Sequence, residues 1–323
     1  MQTAIATALP TSRASVKNLP VNLFGSVMGI AGLALAWRGA ALLYGSSTLI
    51  ADGIGILSLL VFAVLAVAYL SKWAAFPEAV KAEFSHPVAG NFFGTISIAV
   101  LLLSSVVAPW SSQLQKLVWT FGSVATLVLG YVVVSRVLKG NMAPANVVPA
   151  WLIPGVASLD IAVTGGTWGH EVNMIALGIG TAIAIVFYVL IFSRLVHGEP
   201  LPAGMIPSLM VMIAPFEVGF LAYVNVTQHV DMFAAMLFYF GLFMFLVLAP
   251  RVFRRSVPFG PGWWGISFPI AALVNAAIKY ASVADGLAVM VLAGVLLAFL
   301  TVTIAVLLVR TLYSLYTGKL LAG

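Results

Sequence analysis

Ten apolar stretches, separated by short polar connections, recur along the whole chain. A helix of about 20 apolar residues is long enough to cross a hydrocarbon core of roughly 30 Å. Runs such as GILSLLVFAVLAVAYL do not alternate between apolar and polar residues, as the strands of a membrane β-barrel would. The pattern therefore predicts ten membrane-spanning helices, at roughly 19–40, 49–71, 86–107, 116–136, 146–166, 172–195, 204–227, 231–250, 263–282 and 287–312.

The composition supports a polytopic, all-α membrane protein. Of 323 residues, 62% are hydrophobic and 7% are charged, whereas soluble domains carry about 25% charged residues. The absence of cysteine excludes disulfides and Cys-based metal sites, and the scattered charges do not form a nucleic-acid-binding face. We expect a short N-terminal segment at 1–18, one transmembrane domain at 19–315 and a short tail at 316–323.

Lysine and arginine are unevenly divided between the two predicted sides of the membrane. The side that holds both termini carries twelve of them and the other side carries three, and this bias predicts cytoplasmic termini by the positive-inside rule. The twelve are Arg13, Lys17, Lys72, Lys81, Arg136, Lys139, Arg194, Arg251, Arg254, Arg255, Arg310 and Lys319, and the three are Arg38, Lys116 and Lys279.

Prolines divide the ten predicted helices into two classes. Every odd-numbered helix contains proline, and the first prolines recur at intervals of 58 to 67 residues, whereas the even helices contain only Pro250, near one end. Proline frees a backbone carbonyl, which is tolerated at membrane depth beside other helices or a water-filled cavity. We therefore expect five helical hairpins, with the odd helices forming an inner ring around a central pore. The predicted kinks of the odd helices are Pro20, Pro87, Pro154, Pro215 and Pro269.

Small residues on the odd helices fit this arrangement but leave an alternative open. Gly25, Gly29 and Gly32 lie on the first predicted helix, and the even helices instead carry bulky runs such as LFYFGLFMFLVL. Glycine and alanine also simply let helices approach closely. A close-packed interior without a pore is therefore the alternative to a central conduit.

Three motifs resemble one known family. HPVAGNFFG at 86–94, FGSVMGIAGLALAW at 24–37 and, above all, WWGISFPIAALVNAAIKYA at 263–281 are similar to the bacterial tellurite-resistance and C4-dicarboxylate transporter family, which includes the slow anion channels of plant guard cells. The resemblance implies ten helices in five hairpins with quasi-five-fold symmetry and a pore through each protomer of a homotrimer. It also implies a small-anion channel in a bacterial inner membrane, surrounded by lipid, without a cofactor or nucleic-acid partner.

The resemblance further implies that a phenylalanine in the ninth helix gates the pore, and the matching residue is Phe268. The local sequence fits this role, because Phe268 precedes Pro269 and lies beside small residues, and a hydrophobic constriction gates by excluding water. The alternative is that Phe268, one of 20 phenylalanines, packs between helices.

Four polar residues are further candidates for the pore or its mouths. Lys279 and Arg38 lie near the outer ends of their predicted helices, where each either attracts anions, snorkels to the headgroups or forms a local ion pair. Asn275 offers an amide donor to an anion or links two helices. Glu217 departs from the family pattern, in which a neutral residue is usual, since a lining carboxylate would repel anions.

Glu217 keeps a second function open. A buried acid is either neutral, paired with a cation such as Lys279 or Arg38, turned away from the pore, or part of a proton relay. The alternative function is therefore a proton-coupled transporter of C4-dicarboxylates or an exporter of oxyanions such as tellurite or sulfite. Asp160 raises the same question more weakly.

An enzyme is not expected. The sequence has four histidines, all in or beside predicted loops, and no H-E-x-x-H pair for a metal site. The serine of GISF at 265–268 has no histidine base near it in the sequence. We therefore predict no catalytic residue and no metal ligand.

Overall fold

The computed structural model describes residues 14–140, 142–284 and 286–322. In these ranges the chain forms eleven α-helices and no β-strand, which confirms the predicted all-α class. Most of the predicted N-terminal segment, including Arg13, and the last residue of the predicted tail lie outside the described residues. The helices are α1 (Gly25–Tyr44), α2 (Leu49–Ala75), α3 (Pro77–Ser85), α4 (Gly94–Val107), α5 (Ser112–Leu138), α6 (Ile153–Thr164), α7 (His170–His197), α8 (Ala214–Thr227), α9 (Met232–Val252), α10 (Ser267–Ala281) and α11 (Leu287–Tyr316).

Each odd-numbered predicted span begins with a 3-10 turn that continues into an α-helix. The five turns are Val21–Phe24, Ala89–Phe93, Pro149–Leu152, Ala203–Ile213 and Pro261–Ile266, and they lead into α1, α4, α6, α8 and α10.

The five predicted kink prolines lie shortly before or shortly after these 3-10 turns. Pro20 and Pro87 precede their 3-10 turns, Pro154 and Pro215 lie in the first two positions of α6 and α8, and Pro269 is the third residue of α10. In the first turn of a helix a missing N–H removes no intrahelical hydrogen bond. Pro154, Pro215 and Pro269 therefore lie where 3-10 geometry changes to α geometry, and Pro20 and Pro87 lie before the 3-10 turns of their segments.

The five helices that follow these turns contact one another in a closed order. Helix α1 contacts α4, α4 contacts α6, α6 contacts α8, α8 contacts α10, and α10 returns to α1. Each of them also packs against the next long helix of the chain, respectively α2, α5, α7, α9 and α11. The contacts thus describe five hairpins in a ring, and the quasi-five-fold symmetry relating them stays a prediction.

Burial separates inner from outer helices. In the most apolar part of each span, the buried share of residues differs between the two sets. It is 61–78% in the inner spans Val21–Tyr44, Ala89–Val107 and Ala203–Thr227. It is 17–39% in the five outer helices that follow the inner ones. The outer helices expose large apolar side chains such as Leu60, Phe121 and Phe243. Such surfaces are suited to lipid and not to water.

Eight helices of the described chain are long and apolar enough to cross a membrane. All eight begin and end within about five residues of a predicted span, a usual error for boundaries read from sequence. The predicted fifth span is the shorter apolar helix Pro149–Thr164, and the ninth is the 3-10 turn Pro261–Ile266 together with α10. The molecule is therefore a polytopic membrane protein.

Helices α1 and α10 approach closely through small residues. A Cβ added at Gly32 would lie 2.7 Å from the Cβ of Ala271, and one at Gly29 would lie 2.5 Å from the Cβ of Ser267. The side chains of Ser267 and Asn275 donate to the carbonyls of Gly25 (3.1 Å) and Gly32 (3.0 Å). This seam joins the first inner helix to the last and closes the ring.

Two faces of the ring can be named from its contacts. The terminal face is the one where the backbone N–H of Ser15 and the side-chain amide of Asn18 donate to the carbonyl of Leu321, at 3.2 and 3.0 Å. The 3-10 turns before α1 and α10 contact each other near this face, whereas α1 and α10 end at the opposite, distal face.

Candidate functional site

A small central cavity lies near the 3-10 turns and is lined by all five inner segments. Its volume for water-sized molecules is about 40 Å³, which holds only a few waters, since each needs at least about 10–15 Å³. Phe268 lines this cavity and is 7% exposed. The complete lining is Asn22, Gly25, Met28, Phe92, Thr95, Ile98, Ile153, Val156, Val211, Ala214, Gly262, Trp264, Gly265, Phe268 and Pro269.

The surroundings of Phe268 are mostly apolar. Thr95 uses its hydroxyl to donate to the carbonyl of Phe92 (2.6 Å), and the indole N–H of Trp264 donates to Thr311 (2.9 Å). A Cβ added at Gly265 would meet no atom within 4 Å, so open space lies beside this glycine. The central cavity is therefore small and mostly apolar, with a phenyl ring on its wall.

A larger cavity of about 540 Å³ opens at the distal ends of the inner helices. It shares no lining residue with the central cavity and is lined by polar as well as apolar side chains, without an acidic one among the described residues. The lining is Gly39, Leu42, Leu43, Val163, Leu221, Val224, Asn225, Gln228, Asn275, Ile278, Lys279 and Ser282. On α10 the two linings are separated by the stretch from Pro269 to Asn275, a rise of roughly 9 Å.

Lys279 and Asn275, both named from the sequence, are brought together in this distal cavity. Lys279 is exposed and takes part in no ion pair within the described residues. The amide nitrogen of Asn275 donates to the carbonyls of Gly32 (3.0 Å) and Ala271 (2.8 Å). Asn275 thus links α10 to α1 while its side chain also borders the cavity.

Arg38 does not line this cavity. Its guanidinium forms an ion pair with Asp52 at the start of α2, with 2.6 Å between Nη2 and Oδ1. Both side chains are partly exposed. Of the three roles left open for Arg38, the contact in the structure is the local ion pair. Asp52 was not singled out in the sequence, because it lies at the start of the next apolar stretch.

Glu217 lies against an outer helix and lines neither cavity. It is completely buried, and neither carboxylate oxygen has a hydrogen-bond partner among the described residues. A Cβ added at Gly241 on α9 would lie 2.6 Å from Cδ and 2.9 Å from Cγ of Glu217. The carboxyl group therefore occupies the space that the missing side chain of Gly241 leaves on α9. Asp160 is also buried, with Oδ2 unpaired.

One polar cluster near the terminal face was missed in the sequence. The ammonium of Lys72 donates to Glu83 (2.6 Å) and to the carbonyl of Leu19 (2.7 Å), and Tyr69 donates to the same carboxylate oxygen at 2.9 Å. The other oxygen of Glu83 accepts from the backbone N–H of Val21 at 2.8 Å. Helix α3 thus caps the start of the first inner segment. The only sequence signal was a lysine and a glutamate flanking the break between α2 and α3.

No group of three or more His, Asp or Glu side chains suited to a metal ion occurs in the described part of the chain.

Comparison with known proteins places this architecture in one family. The model of the SLAC1 family, described as a voltage-dependent anion channel, matches residues 18–312. The chain is 27% identical to the S-type anion channel SLAH2 of Arabidopsis thaliana and 26% identical to the guard cell S-type anion channel SLAC1 of that plant, over 93% and 94% of this chain. It spans only 60% and 57% of those two proteins.

A bacterial relative is matched over nearly its whole length. The chain is 25% identical to the tellurite resistance protein TehA homolog of Haemophilus influenzae, over 93% of this chain and 92% of that protein. These matches confirm the resemblance seen in the three sequence motifs. Because the family model covers most of the chain, this multi-pass membrane protein belongs to the SLAC1 family of voltage-dependent anion channels.

Proposed function

We propose that the protein conducts small anions through a pore in each protomer and that Phe268 is the gate. The observation that carries the proposal is the central cavity, to which all five inner segments contribute and whose wall includes Phe268. A cavity lined by all five inner segments lies at the centre of the ring, where a pore through the ring would pass. At about 40 Å³ it is too small for a hydrated anion, so conduction requires the cavity to widen.

Movement of the Phe268 ring supplies this widening. Gly265 lines the same cavity and has open space beside it, so no side chain at that position opposes a change in the rotamer of Phe268. A hydrophobic constriction needs only a change in side-chain rotamer to admit water, and ions follow the water. The 3-10 turn and Pro269 fix the backbone around the ring, so the gate is a side-chain movement and not a helix movement.

The distal cavity serves as the outer vestibule. Lys279 supplies positive charge there, and the described lining holds no carboxylate to oppose it. A cleft that carries one sign of charge raises the local concentration of the opposite ion. The terminal face is then the cytoplasmic one, in a bacterial inner membrane, and the functional unit is a homotrimer, as the family resemblance implies.

A passive channel is favoured over proton-coupled transport by the position of Glu217. The carboxyl group packs against Gly241 of α9 and borders neither cavity. A proton relay that couples to a substrate needs its acid within reach of the substrate path. Proton-coupled uptake of a dicarboxylate, or export of an oxyanion, stays the alternative, and the experiment below distinguishes it.

The test is anion flux through purified protein in liposomes, with and without a pH gradient. We expect Phe268→Ala to raise chloride flux at least tenfold, independently of the gradient, because removing the ring widens the apolar constriction. Phe245→Ala is the matched control, because Phe245 is also 7% exposed but lies on the outer helix α9, with its ring against Phe299. Its flux should equal that of the wild type.

Two results would contradict this proposal. Equal flux in wild type, Phe268→Ala and Phe245→Ala, at equal amounts of reconstituted protein, would leave Phe268 as a packing residue. Uptake of a dicarboxylate that follows the pH gradient and disappears in Glu217→Gln would establish the coupled transporter in place of the channel.

A further inference from the structure

A separate cavity of about 290 Å³ lies near the terminal face, between the second and third hairpins. Its walls come from the segment that joins α3 to α4, from the end of α5 with the residues after it, and from the 3-10 turn before α6. It shares no lining residue with the central or the distal cavity. Its lining includes His86, Gly90, Arg136 and Trp151.

Arg136 presents a fixed guanidinium to this cavity. Its Nη1 donates to the carbonyl of Phe84 at 2.6 Å, and the guanidinium carbon lies 4.2 Å from the centre of the Phe84 ring. A Cβ added at Gly90 would lie 2.5 Å from that carbonyl oxygen and 3.2 Å from Nη1. The glycine therefore leaves the space in which Arg136 is held. Its remaining N–H groups have no hydrogen-bond partner in the described part of the chain.

Trp151 supplies a second donor. It is 3% exposed, and its indole N–H has no acceptor within the described residues. A buried donor without an acceptor is rare in native proteins and is a sign of a bound group or water. The other buried indoles behave differently, because Trp119 donates to the carbonyl of Ile161 at 3.0 Å and Trp264 donates to Thr311.

His86 adds a third donor, and the described lining of the cavity contains no acidic side chain. The Nδ1 atom of His86 accepts from the backbone N–H groups of Val88 and Ala89, both at 3.1 Å. In the neutral ring the proton is then on Nε2, which makes that atom a donor. The nearest acid in the sequence, Glu83, is not a lining residue and is engaged with Lys72, Tyr69 and Val21.

We propose that this cavity binds a phosphate group, either inorganic phosphate or the headgroup of an anionic phospholipid. Arginine recognises phosphate oxygens with two parallel N–H donors. The indole N–H of Trp151 and the imidazole of His86 add further donors, and the described lining holds no carboxylate that would compete. The volume holds a phosphate group together with several waters. The site lies outside the conduction path, so it does not depend on the gating role of Phe268.

The first test measures binding of inorganic phosphate at fixed ionic strength to protein in phosphatidylcholine nanodiscs. Wild-type protein should bind phosphate saturably, and Trp151→Phe should bind it about tenfold more weakly, because it loses one hydrogen bond to a charged group and keeps an aromatic ring. Trp119→Phe is the matched control for a buried indole, and Lys279→Gln is the control for the cationic distal cavity. Both should keep the wild-type affinity.

Thermal unfolding without phosphate gives a second readout of the same variants. Trp119→Phe should lower Tm, since it removes the indole hydrogen bond to the carbonyl of Ile161 and leaves that carbonyl with the backbone N–H of Gly165 as its donor. Trp151→Phe should leave Tm unchanged or raise it, since the empty site contains an unsatisfied donor. If Trp151→Phe lowers Tm as much as Trp119→Phe, the Trp151 N–H is already satisfied within the protein and the proposal is overturned.

A third comparison distinguishes the two sources of phosphate. Nanodiscs containing phosphatidylglycerol are compared with nanodiscs carrying the same mole fraction of oleate, so that the surface charge is matched. Weaker binding of inorganic phosphate in the phosphatidylglycerol discs assigns the site to the lipid headgroup, and equal binding assigns it to soluble phosphate. The absence of saturable binding, or binding weakened by Lys279→Gln and not by Trp151→Phe, overturns the proposal.

Discussion

The contact between Glu217 and Gly241 gives the sharpest prediction for stability. Adding a methyl group with Gly241→Ala places the new Cβ 2.6 Å from Cδ and 2.9 Å from Cγ of Glu217, closer than the roughly 3.5 Å at which carbon atoms attract one another. Overpacking of this kind costs about 1–3 kcal/mol. We therefore expect Gly241→Ala to lower the free energy of unfolding by about 2 kcal/mol.

The sign of this effect should reverse when Glu217 is shortened. In the Glu217→Ala background the new methyl group at position 241 has no carboxyl group to meet, and alanine is preferred over glycine within a helix by about 1 kcal/mol. Gly241→Ala should then stabilise the protein by about 0.5–1 kcal/mol. The two backgrounds together give a coupling energy of about 2–3 kcal/mol between positions 217 and 241.

The assay is equilibrium unfolding of the four proteins of this double-mutant cycle by SDS titration in mixed micelles. Glu217→Gln accompanies them as a shape-preserving control and should retain the sensitivity to Gly241→Ala. A coupling energy below about 0.5 kcal/mol, the level expected for independent sites, would refute the placement of Glu217 against α9. The carboxyl group would then have to face another part of the molecule, and its position would no longer disfavour a proton relay.

Three further predictions concern other polar groups. Glu83→Gln and Lys72→Met should each lower the free energy of unfolding by about 3 kcal/mol, since removing one partner of a largely buried ion pair leaves the other uncompensated; the double variant should cost less than the sum. Lys279→Gln should lower anion flux about two- to fivefold at low ionic strength and much less in 1 M salt, because salt screens the charge. Hydrogen bonds from Tyr223 and from the backbone N–H of Ala234 hold the pKa of Asp231, at the N-terminus of α9, below its ordinary value. The increase in Tm that Asp231 contributes should therefore be complete at a pH above the ordinary pKa and should vanish as the pH falls through the lowered pKa.

Each of these predictions has an outcome that would contradict it. Strictly additive effects of Glu83→Gln and Lys72→Met would mean that the two side chains do not act as a pair. If flux through Lys279→Gln responds to salt as flux through the wild type does, Lys279 does not contribute charge to the vestibule. For Asp231, the comparison is Tm of wild type and Asp231→Asn between pH 6 and pH 3, and a difference that grows as the pH falls would reverse the argued sign.

The ring of hairpins could be predicted from sequence because its signal is repeated. Proline on alternate apolar stretches, together with small residues such as Gly29 and Gly32, distinguishes helices that need neighbours from helices that face lipid. Because this pattern occurs five times, an error in the prediction of one helix does not change the predicted arrangement. The five inner helices contact one another in the order in which they follow along the chain.

The orientation of individual polar side chains could not be predicted in this way. In a helix that is apolar on all sides, periodicity does not tell which face meets a neighbour, and so the position of Glu217 against Gly241 had no sequence signal. The pairing of Arg38 with Asp52 joins two adjacent helices across a loop whose path is set only in the fold. Helix α3 was overlooked because PEAVKAEFS is too short and too polar to resemble a membrane span.

The seam between α1 and α10 also determines when the ring can close during synthesis of the chain. The hydrogen bond from Asn275 to the carbonyl of Gly32 joins residues 243 positions apart, so the ring cannot close until nearly the whole chain has left the ribosome. Until then, the small-residue face of α1 and the free flank of α8 are open at the two edges of a partial ring. Contacts between distant parts of a chain form slowly, and partly folded chains with exposed surfaces misassemble readily. Folding of the ring is therefore complete only when the last hairpin has docked. Substitutions along its seam should reduce the yield of inserted protein before they alter the conductance of the molecules that do fold.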